Sequence, residues 1–89
     1  MKASKTRKEK KIRGWIIPAK TDQKGDIVSI ALRTDNQLEY LVEKSKIGME
    51  LYPLIDNEIW AEGTLRERID GKVIMKITNY QKISEKGHL

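Results

Sequence analysis

The chain has 89 residues, 38% hydrophobic and 35% charged, enough for one modest core beneath a heavily charged surface and not for two domains. It contains no Cys, which excludes disulfides, thiolate metal sites and a cysteine nucleophile. The net charge of +5 is unevenly placed: residues 1–13 carry seven basic side chains against one acid, a net of +6, and the remainder carries 11 against 12, a net of −1.

Residues 1–10 lack apolar periodicity and are predicted to be a disordered basic tail. Such a run is either solubilising or an arm whose cations displace counterions from phosphates. An anionic membrane surface fits less well, because neither a lipidation motif nor an amphipathic apolar face accompanies the charge. No apolar run approaches the ~20 residues needed to cross a bilayer. The N-terminus also lacks the apolar middle of a signal peptide. A soluble, cytoplasmic protein is expected, with no membrane partner.

The folded body is expected over residues 11–83. Ile12, Gly14 and Ile16 alternate with Arg13, Trp15 and Ile17, the period of a strand with one buried face. Pro18 is expected to end regular pairing, leaving residues 19–26 as a polar loop around Gly25. In a second strand Val28, Ile30 and Leu32 alternate with Ser29, Ala31 and Arg33. After a turn at Thr34–Gln37 comes a third, with Leu38, Tyr40 and Val42 on one face and Glu39, Leu41 and Glu43 on the other. Residues 44–57 break the alternation. Leu51 and Ile55 suit one face of a short helix, with Ile47 and Met49 nearby, while Gly48 and Pro53 limit it to one or two turns. In a fourth strand Ile59, Ala61, Gly63 and Leu65 alternate with Trp60, Glu62, Thr64 and Arg66. Asp70-Gly71 supplies a hairpin turn into a fifth, where Val73, Met75 and Ile77 face inward. Ala61 and Gly63 on a buried face predict a sharp bend or a close backbone approach. Residues 84–89 are expected to be a flexible C-terminal tail.

Three strands, a short helical connection and two more strands resemble the OB-fold, the oligonucleotide/oligosaccharide-binding barrel. The resemblance covers roughly residues 11–83. It rests on Gly14 within IRGWII, on Leu51 and Ile55 in the midchain connection, and on IWAEGTL followed by a Gly-containing turn. It implies an all-β, five-stranded Greek-key barrel with a short helical connection between strands three and four. It identifies no particular member family. It also implies binding across the outer face of strands two and three, helped by the loops after strands one and four.

No catalytic constellation is legible. The only His, His88, is the penultimate residue, and there is no metal-ligand spacing or glycine-rich phosphate loop, so neither an enzyme, a metal nor a cofactor is expected. Asp22 and Asp26 flank Gly25 without the spaced ligand set of a calcium site. The leading expectation is a nucleic-acid-binding module for single-stranded DNA or RNA. Its candidates are Lys8, Lys10, Lys11 and Arg13 in and after the tail, Trp15 as a stacking ring, Lys20 and Lys24 in the first loop, Arg33 on strand two, and Arg66, Arg68 and Lys72 around the last turn. Glu39 and Glu43 on the outer face of strand three oppose it by repelling phosphates. The alternative is a protein partner or a weak homodimer, using Trp60 with Ile17, Leu41 and Ile74 as an exposed apolar surface.

Overall fold

The computed structural model describes residues 9–83; the predicted C-terminal tail and all but the last two residues of the basic tail, with Lys8 among them, lie outside the described residues. The five alternating segments form β1 (Lys10–Thr21), β2 (Ile27–Arg33), β3 (Glu39–Val42), β4 (Glu58–Glu67) and β5 (Val73–Lys82). Between β3 and β4 lie one short helix, α1 (Lys46–Glu50), and a 3-10 turn (Tyr52–Leu54). The strands close into a barrel in the order β1-β2-β3-β5-β4, with β4 returning to β1. All pairs are antiparallel except β3 with β5. That parallel pair needs a crossover, and α1, the 3-10 turn and β4 supply it. This mainly β barrel is compatible with the OB-type architecture that the sequence resembles.

Closure depends on β1 serving two neighbours. Residues Lys10–Trp15 pair with β4, and Trp15–Thr21 pair with β2. Gly14 sits at the change of partner: a Cβ there would stand 2.5 Å from the Arg33 carbonyl oxygen. Gly63 marks the second tight place, beside an irregularity in the β4–β5 ladder, and a Cβ on it would run into the Lys76 carbonyl. The close approach expected from Ala61 and Gly63 is therefore a backbone contact between hairpin strands.

Inside the barrel Ile16, Ile30, Leu32, Leu51, Ile59, Met75 and Ile77 are buried together with Val42 and Ala61. Ser45 caps α1 by accepting a hydrogen bond from the Gly48 amide (3.0 Å). Leu51 plugs one end of the barrel with no exposed surface, and Ile47 and Ile55 pack beside it, whereas Met49 faces out. The Tyr52 hydroxyl donates to the Val28 carbonyl (3.0 Å) and fixes the 3-10 turn to β2.

Four expectations need correction. Pro18 does not end pairing: β1 continues to Thr21, and Pro18 sits opposite Ile30 with an irregularity just beyond. The Ile16 amide and carbonyl bond toward Asn57 and Asp56. Amides two residues apart address the same edge, so the donor missing at Pro18 falls on the side away from β2. Lys20 consequently lies on β1 and not in a loop, which spans only residues 22–26. Leu38 is half exposed and precedes β3, because the turn ends with Gln37 at φ 68°. Ala31, expected on the wet face, has no exposed surface, since Ile17 and Leu41 flank it in register.

Candidate nucleic-acid interface

Register decides which side chains share the outside of the barrel. On β1 the outward set is Lys11, Arg13, Trp15 and Ile17. Across the β1–β4 seam Lys11 meets Glu62, Arg13 meets Trp60, and Trp15 meets Glu58. The two tryptophans are thus diagonal neighbours on one outward face, although the sequence separates them by 45 positions. The Lys11 ammonium lies 5.3 Å from the centroid of the Trp60 ring, and the Arg13 guanidinium 6.0 Å from it. Contacts of this kind at exposed sites are worth ~0.5–1 kcal/mol. Arg13 Nε also donates to Glu58 Oε2 at 2.6 Å, and that bond, ahead of the carboxylate's charge, holds the guanidinium above its ordinary pKa. A small cleft of about 60 Å³ runs beside Trp60, between Lys11, Glu62 and the β5 residues Asn79, Tyr80 and Gln81.

Trp15 is 40% exposed and edges a larger depression of about 370 Å³. Its other walls are Arg33, Thr34, Asp35, Gln37 and Glu39, from the end of β2, the following turn and β3. Arg33 donates to Glu39 at 2.7 Å, and both side chains are about half exposed. With one cation and two carboxylates the depression does not attract phosphate. It suits instead the flat face of a base against Trp15, with polar groups around the base edge.

On β2 and β3 the outward face differs. Ile17, Ala31, Leu41 and Ile74 stand in register across β1, β2, β3 and β5, forming one apolar row outside the core. Glu39 lies on one side of the row and Glu43 on the other, each holding an arginine; Arg66 donates to Glu43 at 3.1 Å. The expected interface set therefore divides: Ile17, Leu41 and Ile74 are contiguous, while Trp60 belongs to the β1–β4 face.

The remaining candidates do not converge. Lys10 is exposed at the start of β1 opposite Gly63. Lys20 is at the far end of β1, and Lys24 lies in the loop closed by Asp22, whose Oδ1 accepts from the amides of Lys24 and Asp26 at 2.9 Å each. The Asp22 carboxylate is thereby committed to its own loop. Arg68 pairs with Asp70 at 3.1 Å in the β4–β5 turn, beside exposed Lys72 and a fully exposed Ile69. Among the described residues no cluster of His, Cys, Asp and Glu is arranged to hold a metal ion, and no helix is long and apolar enough to cross a membrane. Sequence reading missed the contact of Trp60 with Lys11 and Arg13. Alternation puts all three outside, but only the β1–β4 register brings them together. No protein-family model matches the chain, and no curated protein or solved structure shows significant similarity to it.

Proposed function

We propose that the chain is an OB-type barrel acting as a non-enzymatic nucleic-acid-binding module, taking single-stranded DNA or RNA weakly and with strong salt dependence. The observation that carries this reading is the exposed Trp15 ring at the mouth of a base-sized depression, with Arg33 beside it. A base stacked on an aromatic ring gains ~1–3 kcal/mol. Parting an exposed pair such as Arg33–Glu39 costs at most ~1 kcal/mol, so stacking outweighs it. The OB assignment is supported by the strand order, the parallel β3–β5 pair and the position of α1 between β3 and β4.

Long-range attraction comes from the N-terminal cations, since the rest of the chain is nearly neutral. If Lys2, Lys5, Arg7 and Lys8 meet about four phosphates, log K against log[salt] has a slope near −3, at ~0.7 per phosphate for single strands. Titration of a labelled single strand of about 12 nucleotides, within the ~4–16 covered by one such barrel, tests the reading at two salt concentrations. Removal of residues 2–8 should flatten the slope, whereas Trp15→Ala should weaken binding at unchanged slope. Absence of binding at low salt rejects it.

A second reading has its own observation, the apolar row Ile17–Ala31–Leu41–Ile74. A contiguous apolar strip with ion pairs on both sides suits a protein partner or a second copy of the chain. Sedimentation of wild type and Leu41→Asp over a concentration series distinguishes it: self-association lost in the variant supports this use of the row, and a monomer throughout removes the homodimer.

A further inference from the structure

We propose that a single strand stacked on Trp15 continues onto Trp60, crossing the barrel over β1 and β4 and leaving the apolar row of β2 and β3 free; this rests on the nucleic-acid reading above. Three observations converge. Trp15 and Trp60 occupy diagonal positions of one antiparallel pair, Trp15 opposite Glu58 and Trp60 opposite Arg13. Diagonal neighbours lie ~7–8 Å apart on a common face, so one ligand can span from the exposed Trp15 to the half-buried Trp60.

The second observation is charge. Lys11 and Arg13 flank the Trp60 ring. Lys11 makes no ion pair among the described residues, so its ammonium can leave the ring for a phosphate as a base arrives. The third is where the basic segment joins. The Thr78 hydroxyl lies 3.2 Å from both Glu9 Oε2 and the Glu62 carbonyl and can give its one proton to either, which sets residue 9 beside β5 next to the Trp60 strand. Glu9 and the exposed Lys10, which stands opposite Gly63, thus lie at this end of the barrel. On β2 and β3 beyond the Trp15 depression, by contrast, a phosphate chain would pass the apolar row, which offers it nothing, and Glu43.

The spacing also specifies the form of nucleic acid. The diagonal strand-to-strand spacing of about 7–8 Å is roughly twice the ~3.4 Å rise per nucleotide of a stacked strand. Neighbouring bases reach both rings only if the strand is stretched and its bases are splayed, which single strands permit and a paired duplex does not. The two-ring face is therefore selective for single strands, a property that a purely electrostatic arm lacks.

The chain has two tryptophans, so each can be made the sole reporter. In Trp15→Phe the emission comes from Trp60 alone, and in Trp60→Phe from Trp15 alone; phenylalanine preserves a stacking ring and the fold. Both variants are titrated at low salt with an oligodeoxythymidylate of about 12 nucleotides, a length within the single-barrel footprint. The expected result is quenching of both reporters with the same midpoint, about tenfold weaker binding for Trp60→Ala as for Trp15→Ala, and little quenching by a blunt duplex of the same length. Quenching of Trp15 with Trp60 unaffected, while Trp60→Ala binds like wild type, overturns the β1–β4 path and leaves the proposed function standing. Equal quenching by duplex overturns the selectivity. No response of either reporter and no binding by anisotropy overturns the nucleic-acid reading itself.

Discussion

The two outward faces of this barrel are made of the same alternating pattern and have opposite characters. Over β1 and β4 the outward side chains include two tryptophans, Trp15 exposed and Trp60 half-buried, with Lys11 and Arg13 against the Trp60 ring. Over β2 and β3 they are a short apolar row bracketed by Glu39 and Glu43. Local charge sums differ little, because Glu58 and Glu62 also lie on the first face. The difference is one of arrangement. The first face sets Lys11, in no ion pair among the described residues, beside an aromatic ring, whereas the second closes an apolar row between two ion pairs. Fold resemblance alone would direct a ligand to the second face, and the single-strand path proposed above lies over the first. A barrel supplies several faces, and the residues on each decide its use.

The harshest way to break the comparison is to remove the frame that holds the faces apart. In Gly63→Val the new side chain enters space held by the Lys76 carbonyl, which cannot retreat without unzipping the β4–β5 ladder. Overpacking alone costs ~1–3 kcal/mol, and with backbone displacement the loss should be about 3 kcal/mol or more. Chemical denaturation is expected to show a much lower midpoint or no cooperative transition. Gly14→Ala is the milder companion. Its Cβ meets the Arg33 carbonyl where β1 changes partner, so a loss of ~1–3 kcal/mol is expected. Because Trp15 follows directly, its emission should change in the folded variant. Wild-type stability in either mutant contradicts the closure described here.

Next in size is a direct contrast between faces. Leu41→Asn interrupts the apolar row and should cost ~1–2 kcal/mol in thermal or chemical unfolding, as a half-buried side chain loses part of the ~1.5–3 kcal/mol of full burial. Single-strand affinity should be unchanged. Weaker binding in a variant shown to be folded would move the ligand onto β2 and β3.

Much of the frame was legible in the residues themselves. Alternation locates all five strands, Gly63 announces a close backbone approach, and the loss of alternation after Val42 marks the short helical connection, although α1 ends before Leu51. These signals are local or steric and survive without knowledge of partners. What escaped depends on register. Arg13 finds Glu58 across 45 positions and Arg66 finds Glu43 across 23, so neither arginine can be recognised as paired from its own neighbourhood. Ala31 was misplaced because a small side chain between two larger ones is buried even on an outer face. Pro18 misled because its missing donor harms pairing only on the edge it addresses, and here that edge is not the β2 side. Alternation groups Trp60 with distant apolar residues, while its neighbours in space, Lys11 and Arg13, are set by strand pairing.

A matched pair of neutralisations sharpens the contrast further. Glu58→Gln and Glu43→Gln each remove one negative charge and each release an arginine, Arg13 on the first face and Arg66 near the second. Their long-range electrostatic effects are the same, so any difference between them is local. Freeing an arginine from an exposed pair, at ~0.2–1 kcal/mol, corresponds to roughly 1.5–5-fold in affinity. Single-strand binding should tighten within this range for Glu58→Gln and less for Glu43→Gln, with the gap shrinking as salt rises. Equal gains would show that only net charge is sensed.

The smallest expected effect is a pH dependence behind the Trp60 face. Tyr80 lines the cleft beside Trp60, and its hydroxyl donates to Glu50 Oε1 at 3.2 Å, joining β5 to α1. Burial of the phenol raises its pKa above the ordinary value of about 10; donation to Glu50 and that carboxylate's negative charge raise it further. The sign follows directly. A group whose pKa is higher in the folded state stabilises the fold at pH values below its unfolded pKa, and that contribution is lost as pH rises through the folded value. Neutral pH therefore keeps the full contribution. Above about pH 10 the tyrosinate loses its bond, faces the Glu50 carboxylate and loosens the β5 edge of the Trp60 cleft. Lysines also titrate in that range, so the comparison must be with Tyr80→Phe, which removes this one group. The wild-type melting temperature should fall more steeply than that of Tyr80→Phe between about pH 9.5 and 11. The ultraviolet change that accompanies ionisation of the Tyr80 phenol should be missing in the variant. If the two melting curves stay parallel across that range, the Tyr80–Glu50 bond contributes nothing to stability and the Trp60 face is held by β1 and β4 alone.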